Sequence, residues 1–186
     1  AVRIYGDKIW LPKIGRVKFV QSRELICGRI VKATVMHTPS NKYFVFVVIK
    51  GSIEEVLRRN AGGMIGLDVG IKSFCVDSNG NAIAHPRPLA KLSKKLKTAH
   101  RRLDRKVRGS NNYNVQRIKL ARLYERITNI RHDFLHKLTT KLCRENQTIA
   151  VESLSVKYML HNHSVAKAIF DASWGEFFRQ LNYKAI

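Results

Sequence analysis

From Met64 to Ile71 the chain reads Met-Ile-Gly-Leu-Asp-Val-Gly-Ile, an apolar and glycine run broken by a single carboxylate. Such a run predicts a strand buried on both faces, near the centre of a parallel or mixed sheet. Asp68 then sits where an ionised group is costly unless it is paired or binds a cation. Gly66 and Gly70 clear space for a backbone, a metal or a phosphate. The plainer alternative is a strand-end Asp that caps a turn. Downstream, 73–77 and 82–85 are apolar segments around Ser78-Asn79-Gly80-Asn81. Asn-Gly between two such segments is a strong hairpin signal, so Met64–Ile71 opens a three-stranded antiparallel meander that Pro86 and Pro88 end.

From Leu89 the period becomes helical. Leu89, Leu92, Leu96, Ala99, Leu103 and Val107 form a seam close to heptad spacing. Residues 108–112 interrupt it, and a second seam runs through Leu120, Leu123, Ile127, Ile130, Phe134, Leu138 and Leu142. Two matching seams with a short break predict an antiparallel helical hairpin over 89–145. Thr148–Leu154 is a second apolar strand with one acid, Glu152. A short turn or helix is expected over 157–162. Another helix is expected to start near Asp171, with Ser173 and Glu176 as a capping box. His161 and His163 lack metal-site company and are read as surface or RNA contacts.

Before the connector at 51–63, where 53–59 could make a short helix, residues 1–50 read as all-β. The short segments 3–5, 9–11 and 16–20 and the longer ones 26–37 and 43–50 have the spacing of a small β-barrel or sandwich. The organisation expected is therefore a β-barrel domain at 1–50, the connector, and a mixed α/β domain at 64–186. This is an α+β or α/β chain with a helical insertion.

Charge changes the picture. The 35 Lys and Arg against 13 Asp and Glu give a net charge of +22 over 186 residues. Such an excess repels itself and implies a polyanionic partner, with nucleic acid the first candidate. Arg16, Lys18, Arg29 and Lys32 give the β region a basic face. On the first helical arm or its end, Lys91, Lys94, Lys95, Lys97, Arg101, Arg102, Arg105, Lys106 and Arg108 are opposed by Asp104 alone. Solvated helices mix both signs in i,i+4 pairs, so this arm is expected to grip phosphate. No stretch approaches the roughly 18 apolar residues that span a bilayer, and no secretory leader is evident at 1–11. Cys27, Cys75 and Cys143 are scattered, as reduced thiols of a cytosolic protein would be, and form no metal cluster. No membrane partner is expected, the cytoplasm is the expected compartment, and the oligomeric state is not legible.

Asp68 and Glu152 are the informative pair, each the lone acid of an apolar strand. A meander, a helical insertion and a further strand follow the order of the RNase H-like fold, in which the first and fourth strands adjoin. Two carboxylates then converge at one sheet end, tolerable where a divalent cation bridges them. Mg²⁺ needs only one or two carboxylates because it keeps waters and takes phosphate oxygens, and a two-metal arrangement supports in-line attack on a phosphodiester.

These same residues carry a family resemblance. The run Gly66-Leu67-Asp68-Val69-Gly70-Ile71-Lys72-Ser73-Phe74, the basic hairpin, Val151-Glu152-Ser153-Leu154 and Asp171-Ala172-Ser173-Trp174-Gly175-Glu176-Phe177 together resemble TnpB. That family is the transposon-encoded relative of type V CRISPR effectors. Residues 1–50 are similar, less specifically, to the end of its β-barrel wedge domain. The resemblance implies a bacterial or archaeal, nucleoid-associated, RNA-guided DNA endonuclease with a RuvC-like nuclease domain. Its partners are a guide RNA from the transposon end and target DNA. Cleavage depends on Mg²⁺ or Mn²⁺, and Asp68 and Glu152 match two of the catalytic, metal-holding acids. Family members continue into a four-Cys zinc ribbon and a strand with a third catalytic Asp. Zinc is expected only in that ribbon, which this sequence does not contain. The expectation is thus a fragment or truncated product with two of three acids and little nuclease activity alone. Two other readings use the same residues: an RNA-guided DNA-binding repressor without cleavage, and transposase catalysis by the protein itself. Gly66-Leu67-Asp68-Val69-Gly70-Ile71-Lys72-Ser73 also resembles the phosphate hairpin of sugar kinases and actin-like ATPases, but Thr148–Ser155 lacks the second glycine hairpin those folds need.

Overall fold

A computed structural model describes residues 2–22, 24, 28–51, 62–152, 154, 159, 161 and 163–185, with backbone only at 163 and 164. The chain divides into two compact units, Ala1–Leu57 and Arg58–Ile186.

In the first unit, β1 (Arg3–Tyr5), β2 (Lys8–Leu11) and β3 (Gly15–Lys18) form an antiparallel meander in the order β1-β2-β3. Its centre is β2, which buries Ile9 and Leu11. A separate ribbon pairs β4 (Arg29–His37) with β5 (Tyr43–Lys50), with a bulge between Ile30 and Lys32. Its turn is tied by Lys42 N donating to Thr38 Oγ1 at 3.2 Å, while Asn41 takes the left-handed conformation (φ 65°) that asparagine tolerates. The expected barrel is not closed. The described strands form two separate sheets, because three of them are only three or four residues long and no pairing joins the meander to the ribbon. The expected bounds also move: β3 ends at Lys18 instead of Val20, and Ile26 and Cys27 lie outside the described residues, as does the helix expected over 53–59.

The second unit contains a four-stranded sheet of β6 (Met64–Val69), β7 (Cys75–Asp77), β8 (Ala82–Ile83) and β9 (Thr148–Val151), in the order β8-β7-β6-β9. The meander β6-β7-β8 is antiparallel and β9 runs parallel to β6. Gly80 makes the β7–β8 turn at φ 83°, a backbone that few residues other than glycine adopt cheaply. Between β8 and β9 the chain makes α1 (Pro88–Asp104) and α2 (Asn111–Glu145). Pro88 occupies the first helical position, where its missing N–H costs nothing. Ser110 caps α2 by accepting from Tyr113 N at 3.1 Å, and the break between the arms falls between Asp104 and Asn111, earlier than the composition of 108–112 suggests. Val107 falls outside α1 and is exposed instead of continuing the seam.

At about 1.5 Å per residue, α2 is about 52 Å long, and its halves do different work. Towards its start, Leu120 and Ile127 pack with Leu96 and Ala99 of α1. Towards its end, Leu135, Leu138 and Leu142 pack on Leu67, Val69, Phe74 and Cys75 of the sheet. The chain closes with α3 (His163–Ala172) and α4 (Trp174–Lys184), which add Ile169, Trp174, Phe177 and Leu181 to that core. Phe74 sits at its middle, edge-on to Phe134 and Phe177 at 5.0 and 5.1 Å.

Candidate metal and nucleic-acid site

The strand β6 alternates. Ile65, Leu67 and Val69 turn towards the core, while Met64, Gly66 and Asp68 take the opposite face. This corrects the expectation of a strand buried on both faces: Asp68 and Met64, on the face away from the core, are exposed. The carboxylate therefore bears no burial cost and stays free for solvent or a ligand.

Parallel pairing sets its neighbour. Leu67 pairs with Val151, and Asp68 and Glu152 each follow that pair by one residue. β9 ends at Val151, short of the strand expected to Leu154, so Glu152 leaves the sheet just past the last pair while Asp68 is still on β6, and both acids lie at the same sheet end. Both line one open groove with Gly66, Val76, Ser78 and Ala150. Gly66 N donates to Ser78 Oγ at 3.3 Å and Ser78 N to Gly66 O at 2.9 Å, which fixes the groove wall behind Asp68. Asp68 and Glu152 make no side-chain hydrogen bond or ion pair among the described residues. Asp77 lines the same groove but is already occupied. Its Oδ1 accepts from Asn79 N and Asn81 N and its Oδ2 from Asn81 Nδ2, which holds its carboxyl below the usual range. Behind the sheet, burial pushes the Cys75 thiol up to about 11, with the charges of Asp77 and Asp68 adding to it. Among the described residues no three His, Cys, Asp or Glu side chains gather as a metal group; of the acids lining the groove, Asp77 is held by its turn, which leaves Asp68 and Glu152 as the candidate pair.

A clamp positions the loop after β6. Arg87, in the left-handed region at φ 47°, donates through Nη2 to the carbonyls of Ile71 and Lys72 at 2.9 and 2.8 Å. Its own N–H donates to His85 Nδ1 at 2.8 Å, and the His85 ring packs against Phe74 and Phe134. One step further, Asp171 accepts from Leu89 N and Ala90 N at 3.1 Å each, and Arg131 reaches it at 3.5 Å. This carboxylate ends α3 and does not start a helix as the sequence suggested. It caps α1, whose own N-cap residue offers no side-chain bond.

The capping box is also absent. Ser173 is left-handed and donates to Phe170 O, while Glu176 turns to Arg179 at 2.7 Å and accepts from Gln180. The Arg179 guanidinium, foremost, holds the Glu176 carboxyl down at about 2. Gln180, Thr139 and Lys184 continue that network between α2 and α4.

All nine basic candidates, Lys91, Lys94, Lys95, Lys97, Arg101, Arg102, Arg105, Lys106 and Arg108, lie at the surface, and no ion pair among the described residues involves them. Pattern reading missed the cations of the second arm: Arg117, Lys119, Arg122 and Arg126 lie on α2. Their signal was present as charge, but the acids Glu125 and Asp133 on the same arm masked it. His161 is exposed, and the turn expected over 157–162 lies largely outside the described residues.

A family model described as "Probable transposase" (OrfB_IS605) matches residues 51–163, which include both acids and the whole hairpin. The chain belongs to this transposase family, of which TnpB is the expected member type. Among relatives, a "Putative RNA-guided DNA endonuclease" of Streptomyces pristinaespiralis is 39% identical over 151 residues, 81% of this chain and 37% of the relative. In Escherichia coli (strain K12), "Putative RNA-guided DNA endonuclease InsQ" is 30% identical over 97% of this chain and 48% of its own length. A third, "Putative RNA-guided DNA endonuclease Rv2885c" of Mycobacterium tuberculosis (strain ATCC 25618 / H37Rv), is 30% identical over 99% of this chain and 44% of its own. The chain thus spans less than half the length of these family members. No helix among the described residues is long and apolar enough to cross a membrane.

Proposed function

We propose that this chain forms part of an RNA-guided DNA endonuclease, with Asp68 and Glu152 as metal-holding acids of an RNase H-like, RuvC-type centre. The observation that carries the reading is the parallel β6–β9 register, which sets the two carboxylates side by side in one open groove. The donor set fits a hard cation. Exposed carboxylate oxygens with no nitrogen or sulfur ligand suit Mg²⁺ or Mn²⁺ and not zinc. Such an ion, when bound, polarises the scissile phosphodiester and activates water. The chain's own residues supply the rest. Asp68 and Glu152 offer the negative charge that draws the cation. Gly66 and Ala150 keep the groove floor free of bulk, so a sugar-phosphate backbone can descend to the acids. The reaction adds water across one P–O bond, hydroxyl to phosphorus and proton to the leaving oxygen. The surface cations of α1 hold a guide RNA, target DNA or their heteroduplex by its phosphates.

In a complete reading frame, Asp68→Ala should abolish guided DNA cleavage while nucleic-acid affinity stays within about twofold, since this exposed acid makes no contact that folds the strand. A parallel loss of binding and cleavage would remove Asp68 from the chemistry. Binding by the wild type without cleavage under Mg²⁺ would favour the repressor reading.

A further inference from the structure

The helical hairpin has two unlike flanks. On one, His100 Nε2 and the Tyr124 hydroxyl share a hydrogen bond at 2.8 Å, their rings edge-on at 5.9 Å, so the two arms are bridged there. Asp104, the acid of α1, lies one turn from His100 and so belongs to this flank. On the other flank the arms leave an open groove. Lys94, Lys95 and Arg102 of α1 and Lys119 of α2 line it, and Ala99 and Leu123 form its apolar floor. No acid lines it. Its remaining walls are neutral and tied back: Thr98 Oγ1 donates to Lys94 O and Gln116 Nε2 to Ala99 O. Among the described residues these cations make no ion pair.

We infer that this groove is a phosphate cradle built from both arms, holding the sugar-phosphate backbone of one nucleic-acid strand. Charge chooses the occupant. Four cations around an apolar floor repel a cationic partner surface and gain nothing from a neutral one, whereas a polyanion releases its counterions on binding. Length agrees. From Lys91 through Lys95 to Arg102 the same helix flank spans about 16 Å at 1.5 Å per residue, the reach of roughly five phosphates at about 3.4 Å per nucleotide. The floor gives the backbone an apolar strip against which the sugars can lie. Lys119 is the assignment that separates a cradle from a one-helix charge stripe, because it supplies the second wall. The inference rests on the nucleic-acid part of the reading above and is independent of the metal site.

The test is the salt dependence of binding by the full 186-residue chain, measured by fluorescence anisotropy. Labelled single-stranded RNA, duplex DNA and an RNA–DNA hybrid serve as probes. Arg102→Gln with Lys119→Gln should lower the slope of log affinity against log salt by about 1.4 to 1.8, at roughly 0.7 to 0.9 for each phosphate no longer neutralised. Thr98→Glu, which puts an acid in the cradle, should weaken binding about tenfold or more at low salt. Lys167→Gln, an exposed cation on α3, should leave the slope unchanged. A fall confined to one probe identifies that strand as the occupant, and a fall across all three means that the cradle reads phosphate alone. An unchanged slope in the groove variant, or an equal fall in Lys167→Gln, overturns the inference. Neither result bears on cleavage by Asp68→Ala, so the two ideas fail separately.

Discussion

The carboxylate of Asp171 receives two backbone N–H groups from the start of α1 and the Arg131 guanidinium from α2. It is 3% exposed, so removing it leaves a nearly buried Arg131 and two uncapped donors. Asp171→Ala should cost about 3 to 5 kcal/mol, the range for breaking a buried pair, read as a fall in chemical-denaturation stability. Asp171→Asn, which still accepts, should cost less. The same neighbourhood carries a pH dependence. Burial, above all, pushes the His85 imidazole below its ordinary value, with Arg87, Arg131 and Lys91 acting the same way against Asp171. Its folded state therefore favours the neutral ring. Below the unfolded value near 6.5 the unfolded chain binds the proton first, so stability is lost as pH falls through that point. Denaturation midpoints should drop between about pH 7 and 5, and His85→Asn should flatten that drop; a slope unaffected by the substitution would assign it to another group. At this scale the sequence singled out Asp68 and Glu152 by their setting and misread the local geometry of several other residues. Asp68 and Glu152 stand out as lone acids in apolar runs. Asp171 reads locally as a helix start because its partners, Leu89 and Ala90, lie some eighty positions away, and local spacing cannot reveal a distant cap.

Among the elements, the helical arms were largely legible, because a heptad-like seam is a local signal that packing mostly obeys, although Val107 and Ile130 of the expected seams are exposed. Leu96, Ala99, Leu120 and Ile127 all became core. Truncating the seam tests its weight: Leu96→Ala should cost about 2 to 4 kcal/mol in thermal or chemical melts, as large-to-small core changes do. The meander was legible through Asn79-Gly80. What the pattern could not show was burial of β6. An apolar run and an alternating strand differ only in what covers the second face, and glycine at 66 counts as apolar in a run although it buries nothing. For the same reason the N-terminal segments promised a barrel. Short alternating strands specify faces, but whether they close depends on pairing between strands far apart in sequence, and the described ones pair as a meander and a ribbon.

For the whole molecule, two features of unlike chemistry occupy one unit: two acids at a sheet end, and a hairpin whose first arm is rich in cations that make no ion pair among the described residues. On the function proposed above, a polyanionic substrate would reconcile them, held by the hairpin's charge and met at the sheet by acids that need a cation to approach phosphate. The central claim is that Asp68 and Glu152 act as one site. The direct measurement is guided DNA cleavage by a complete family protein carrying Asp68→Ala, Glu152→Ala or both, at fixed Mg²⁺. If the acids share metal, each single change should lower the rate at least about a thousandfold, and the double change should be no worse than either, as for groups that work as a unit. Losses that multiply in the double variant, or cleavage that survives either single change, would contradict the account.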